Sequence, residues 1–251
     1  FLTPAILRDR NFMTALSFMF FVGLILLATM ALLPPYMQNL MGYPVFDVGM
    51  ILAPRGIGTM LAMVVVSRLS NHVDPRSMVL FGLLLTAYSL SMMCDFTTFV
   101  PARLIIESGI LQGFGLGFVF MPLSTLAYLT LEAEYRAEAA GLFSLVRNMG
   151  SSIGVSIAYS LFAVNLQTQH AYLSENITPY AFSLGLQQLP QELNNEIASA
   201  LMLIDAEINR QAATIAYVND FKLMMWVILA IVPMVFLLRG PSRSKPAEQA
   251  A

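Results

Sequence analysis

Cysteine, histidine and charge are all scarce in this 251-residue chain. Cys94 is the single cysteine, so no internal disulfide can form, and a lone thiol of this kind reads as a small buried apolar residue. His72 and His170 are equally isolated. No metal cluster or nucleophile–base pair can be built from such parts, and no phosphate loop or dinucleotide fingerprint is present; neither a metal, nor a cofactor, nor an enzyme is expected. Charged residues make up 11% of the chain, against roughly 25% in an ordinary soluble domain. With a net charge of −2 and basic residues spread along the chain, nothing argues for nucleic acid as a partner. The start, Phe1 with a polar, proline-containing lead-in, is neither an initiator nor a signal peptide, so the chain reads as a fragment.

What it has in abundance is apolar residues, 57% of the total, which is a membrane composition. The first uncharged run, 12–33, is long enough to cross a hydrocarbon core of about 30 Å at about 1.5 Å per residue. Pro34 and Pro35 should break or kink it, with Tyr36 and Gln38 at the far interface. Further spans are expected over about 45–69, 78–93, 102–131, 139–164 and 221–238, giving an all-α membrane protein of six transmembrane helices. Arg8, Arg10, Arg68, Arg76, Arg136, Arg239, Arg243 and Lys245 fall on one side of these spans and only Arg210 and Lys222 in the loops of the other, so both chain ends are expected in the cytoplasm. The organisation is then 1–164 as five membrane helices, 165–220 as an extracytoplasmic segment, 221–239 as the last membrane helix and 240–251 as a cytoplasmic tail. Leu189, Leu193, Ile197, Leu201, Ile204, Ile208 and Ile215 give the long segment an amphipathic helical period. Its apolar stripe either folds back on the protein or the lipid interface, or docks a partner helix.

Two features inside the spans carry the functional reading. Gly109, Gly113 and Gly117 recur every four residues on one helix face, and Gly150, Gly154 and Ala158 do so on another. Glycines cost helix stability in water, but in lipid they let helix backbones approach closely, so Gly113, Gly117, Gly150 and Gly154 are expected to pack helices together. Arg55 and Arg147 each lie about nine residues inside their spans, near the bilayer midplane. An arginine there costs at least roughly 2.5–3.5 kcal/mol unless it faces protein or water. Each either ties helices together or borders a transport cavity, and Gln112 and Asn148 are the further cavity-side candidates. Arginine cannot release a proton at working pH, so a carboxylate must carry any proton. Glu107 is the best such group within a span, but Arg103 sits one turn away and favours a local ion pair.

The run GFGLGFVFMPLSTLAYLTLEAEYRAEAAGLFSLVRNMGSSIGVSI, preceded by LLPPYMQNLMGYP and LAPRGIGTMLAM, closely resembles the second half of the fourteen-helix drug:proton antiporters of the major facilitator superfamily, the EmrB/QacA type. SRLSNHVDPRSMVLFG also looks like a worn copy of the superfamily's cytoplasmic gating loop, with Arg68, Asp74 and Arg76 as its charged members and Pro75 where the motif usually has glycine. The resemblance implies one half of that fold with a helical insertion before the last span. It also implies proton-coupled export of small hydrophobic or amphipathic compounds from a bacterial inner membrane, driven by the proton gradient without a cofactor. Further implied are a missing amino-terminal half holding the proton-linked acidic residues, and, in two-membrane bacteria, a periplasmic adaptor and an outer-membrane channel as partners. The competing class is a non-transporting membrane subunit whose outer helix recruits periplasmic partners.

Overall fold

The computed structural model describes residues 8–70, 72–129, 131–175 and 191–238, together with Ile6, and among them the chain is helical with no strand. Helix α1 (Arg10–Pro35) starts at Asp9, whose Oδ1 accepts the backbone N–H groups of Asn11 at 2.8 Å and Phe12 at 3.0 Å, a side-chain N-cap. Pro34 and Pro35 do not end it: the chain winds on as a wider π-helical turn over Tyr36–Leu40 and leaves the helix at Gly42, whose φ of 72° favours glycine. Helices α2 (Val45–Leu52) and α3 (Pro54–Leu69) form one span interrupted at Ala53, because Pro54 has no N–H to extend the ladder but fits the first position of a new helix. Helix α4 (Pro75–Cys94) uses the same device, with Asp74 as its cap and Pro75 behind it. Helix α5 (Ala102–Leu129) carries Pro122 within it, α6 (Arg136–Glu175) follows a single 3-10 turn, and α7 (Gln191–Ile231) ends in further 3-10 turns over Val232–Leu237.

Among the described residues, six stretches are long and apolar enough to cross a membrane: Arg10–Leu40, Val45–Leu69, Pro75–Cys94, Ala102–Tyr128, Arg136–Glu175 and Met202–Leu237. Six helical spans are what the hydropathy pattern predicts. The ends differ. Hydropathy closes the fifth span at Val164 and opens the last at Phe221, whereas α6 continues to Glu175 and α7 already begins at Gln191. These polar extensions stay helical because they pair with each other. Asn165 Nδ2 donates to Asp220 Oδ1 at 3.4 Å, His170 Nε2 lies 3.2 Å from Asp205 Oδ1, and Ala212, Ala213 and Ala216 are buried. Of the apolar stripe, Ile204, Ile208 and Ile215 are half-buried; Leu189 and the side chains of Leu193, Ile197 and Leu201 lie outside the described residues.

The helices pack with α1 against α6, α6 against α7, α7 against α4, α4 against α5 and α5 against α3, and α1 closes back on α5. Tyr36 is buried in this bundle rather than exposed at an interface. Its hydroxyl donates to the Thr97 carbonyl at 2.8 Å while its ring stacks on Phe96 and meets the edge of Tyr217. At the same end, Arg210 of α7 donates from Nε to the Leu40 carbonyl at 3.2 Å and lies over the Phe99 ring, so the extended helix pair is tied to the turns after α1 and α4. The second and fifth spans are the least covered: Met60, Leu61 and Val64 on α3, and Leu145, Met149 and Ile153 on α6, are not shielded by protein.

Candidate functional site

Two seams of glycine position the candidate residues. Along α1 and α6, Gly23 faces the Arg147 carbonyl oxygen, Gly150 faces the Phe20 backbone and Gly154 the Leu24 backbone. Along α3 and α5, Gly58 faces the Ile110 backbone, Gly113 faces the Arg55 carbonyl oxygen and Gly117 faces Ala62. At each of these six positions a side-chain carbon would run into the neighbouring helix, mostly into its backbone, which cannot rotate away. Hydrogen bonds reinforce the contacts: Ser151 Oγ donates to the Gly23 carbonyl at 3.1 Å and Tyr159 Oη to the Ala31 carbonyl at 3.0 Å. Helices this close leave large side chains no room in the seam itself, so they project to either side of it.

Arg147 projects into a cavity of about 740 Å³ walled by α1, α3, α5 and α6. Met19, Met63, Phe120 and Phe143 make its surface mainly apolar, with the hydroxyls of Thr59, Ser124, Ser144 and Tyr128 distributed over it. Arg55 lines a second cavity of about 370 Å³, and Leu26, Thr59 and Phe120 line both. Arg55 is only 8% exposed, and its Nη2 is buried with no hydrogen-bond partner. Arg147 is half-buried, and neither arginine takes part in an ion pair among the described residues.

The other candidates are distributed differently. Gln112 is fully buried between α1 and α5; its Nε2 donates to Thr29 Oγ1 at 3.4 Å, and its Oε1 has no partner. Asn148 borders a separate groove with Leu27, Ser151 and Ser152. Arg147 does not line this groove, and Asn148 does not line the Arg147 cavity. In the turn between α3 and α4, Asp74 Oδ1 accepts the Arg76 backbone N–H at 3.0 Å, Arg68 is exposed, and Arg76 Nε is buried without a partner. Among the described residues these three side chains make no ion pair with one another. Arg103 Nε and Glu107 Oε1 pair at 2.6 Å on an exposed helix face, as their i,i+4 spacing predicts.

Sequence reasoning puts Thr59 on the face of Arg55 without naming it a cavity residue, and it does not single out Ser144. Both were within reach of it: Thr59 lies four residues after Arg55 and Ser144 three before Arg147, spacings that put each on its arginine's face. Asp220 is a different case. It closes the polar segment in sequence yet is 1% exposed between α6 and α7, with Oδ2 unpartnered. Only the continuation of both helices beyond the apolar runs reveals its burial.

Comparison with known proteins agrees with this architecture. The family described as Major Facilitator Superfamily matches residues 2–155. Among curated relatives, the fatty acid resistance protein FarB of Neisseria gonorrhoeae is 27% identical over 248 residues, covering 96% of this chain and 48% of FarB. The multidrug export protein EmrB of Escherichia coli K12 is 26% identical over 253 residues, covering 94% of this chain and 47% of EmrB. The chain therefore spans about half the length of these relatives. Among solved structures, the E. coli fucose:proton symporter FucP aligns with a TM-score of 0.62 at 14% identity, over 92% of this chain and 49% of FucP, a likeness of fold.

Proposed function

Because the chain belongs to the Major Facilitator Superfamily, we propose that it forms the carboxy-terminal half of a proton-coupled exporter of hydrophobic and amphipathic compounds. The observation that carries this reading is the pair of neighbouring, largely apolar cavities lined by Arg55 and Arg147. Apolar walls with a few placed polar groups are how small-molecule sites admit varied apolar ligands, and the volumes lie within the usual range of about 300–1,000 Å³. The α3 and α6 faces that flank the cavity leave large apolar side chains uncovered, which suits a second six-helix half closing over them.

In this reading Arg55, Arg147, Thr59 and Ser144 contribute polar contacts to the passage, and the glycine seams hold its walls rigid while the two halves rock. Arg68, Asp74 and Arg76 belong to the cytoplasmic turn that gates the rocking. No arginine can carry the exchanged proton. Glu107 is engaged by Arg103 near the start of α5, which supports coupling through acidic residues of the other half. The excess of basic residues on the side of the chain ends supports a cytoplasmic carboxy terminus, and the bacterial relatives support an inner-membrane location. The paired α6–α7 extension then stands in the periplasm, where it offers a helical surface to an adaptor and, through it, to an outer-membrane channel.

The test is transport by the complete protein reconstituted into liposomes. Movement of a lipophilic fluorescent dye driven by an imposed proton gradient is the expected result. Dye flux unaffected by the gradient and equal to that of empty liposomes would leave the chain as a membrane subunit that recruits partners and transports nothing.

A further inference from the structure

We propose that Asn11 is a positioning residue for the cavity: its side chain catches the end of α5 beyond Pro122 and so fixes where the wall residues of that stretch stand. The role rests on the transport reading above and adds to it a residue that touches no substrate.

The case begins with how unevenly α5 is held. Before the proline it is clamped on two sides, since Gly113 and Gly117 face Arg55 and Ala62 of α3, while Gly115 faces the Gly82 carbonyl oxygen of α4. Pro122 has no N–H, so the Phe118 carbonyl loses its helical donor and the ladder is weakest there. From Leu123 to Leu129 there is no glycine to bring a neighbouring backbone close. Yet this is the stretch that carries Ser124, Thr125 and Tyr128 on the wall of the cavity of about 740 Å³. Leu123, Leu126 and Ala127 are fully buried, but apolar burial is non-directional and fixes no single tilt.

Asn11 supplies the fixed point. It lies in the first turn of α1, where its own N–H is held by Asp9 Oδ1 at 2.8 Å, and it is 2% exposed. Its Nδ2 donates to the Leu126 carbonyl oxygen at 2.7 Å, one helical turn past Pro122. Leu126 is one of the last four residues of α5, whose carbonyls have no partner within the helix, so this bond both caps α5 and joins it to α1. Asn11→Leu keeps most of the volume and removes the donor. The carbonyl it leaves behind is buried, and reaches water only if the end of α5 moves.

The experiment uses the complete transporter with Cys94→Ser, no other reactive cysteine, and Ser124→Cys on the cavity wall as the probe. A water-soluble thiol reagent should label that probe about two- to tenfold faster once Asn11→Leu is added. In proteoliposomes, with Ser124 intact, Asn11→Leu should raise the KM for dye export by a similar factor and leave the maximal rate little changed. A lower maximal rate at constant KM overturns the inference and assigns Asn11 a structural role, because that is what a partly unfolded population gives. Tyr36→Phe is the control. It removes another side-chain bond to a backbone carbonyl, and its partners Thr97, Phe96 and Tyr217 all lie outside α5, so it should label at the parent rate. Asn11→Gln, which keeps an amide donor, should fall nearer the parent than Asn11→Leu; where Asn11→Leu does not accumulate, Asn11→Ala takes its place with the same readings. Labelling at the parent rate without the Asn11 donor overturns the inference, and so does equal acceleration by Tyr36→Phe, which would make the effect a general loosening. Absence of dye export from the unmodified transporter is the separate failure, that of the transport reading, and the labelling rates still report whether Asn11 holds the wall.

Discussion

Gly154→Ala adds one methyl group where the structure leaves none. A Cβ at this position would lie 2.7 Å from Leu24 Cα and 2.8 Å from its carbonyl carbon, and closer still to the carbonyl oxygen. Ordinary contact between carbon atoms needs about 3.5–4.0 Å, and every obstructing atom is backbone, so α1 and α6 must move apart by roughly 1 Å. A gap of about 0.5–1 Å forfeits a quarter to a half of the dispersion attraction between facing atoms, and it opens along a seam that also includes Gly23 and Gly150. Overpacking of this kind costs about 1–3 kcal/mol. The control is Gly141→Ala on the same helix, where a Cβ would meet nothing within 4 Å and where alanine gains about 1 kcal/mol of helix propensity over glycine. Thermal melting of the complete, detergent-purified transporter, followed by size-exclusion fluorescence, should show Gly154→Ala melting well below the parent and Gly141→Ala at or above it. Coincident melting of the two variants would refute the claim that the α1–α6 seam excludes side chains.

Three further outcomes are expected. Arg147→Ala should abolish drug resistance conferred by the complete transporter with its membrane level intact, measured by growth inhibition beside a quantitative blot; wild-type resistance would remove Arg147 from the passage. Glu107→Gln should leave proton-driven dye export near the parent rate, because the carboxylate pairs with exposed Arg103 on its own helix; a transporter that still binds dye but no longer exports it would make Glu107 a proton carrier. Tyr36→Phe removes the donor to the Thr97 carbonyl at 2.8 Å and should destabilise the protein by about 1 kcal/mol in the same melting assay, whereas an interfacial Tyr36 would tolerate the change.

Much of the fold was legible because it depends on local composition. Hydropathy alone separates six spans, and the four-residue spacing of Gly113 with Gly117 and of Gly150 with Gly154 marks faces that do meet other helices closely. What hydropathy cannot register is partnership between distant segments. Helix α6 runs past Val164 because Asn165 and His170 find Asp220 and Asp205, which are remote in sequence. Tyr36 turns into the bundle for the same reason, since Phe96, Thr97 and Tyr217 converge on it from two other parts of the chain. The consecutive prolines stop short of breaking α1 because a wider helical turn follows them. Cavity residues divide along similar lines. Arg55 and Arg147 follow from depth and helical face, whereas Gln112 and Asn148 depend on which neighbour each face meets, and those neighbours place one in a sealed helix contact and the other on a separate groove.

The central claim is that the cavity bordered by Arg147 is the path that substrate takes. A single cysteine introduced at Ser144, in a complete transporter otherwise free of reactive cysteines and with Cys94 replaced by serine, tests it most directly, because Ser144 lines that cavity and no other cysteine of this chain would then compete for reagent. Labelling by a water-soluble thiol reagent should proceed in the absence of substrate and slow severalfold when an exported amphiphile is present at saturating concentration. Labelling at the same rate with and without that compound would contradict the account.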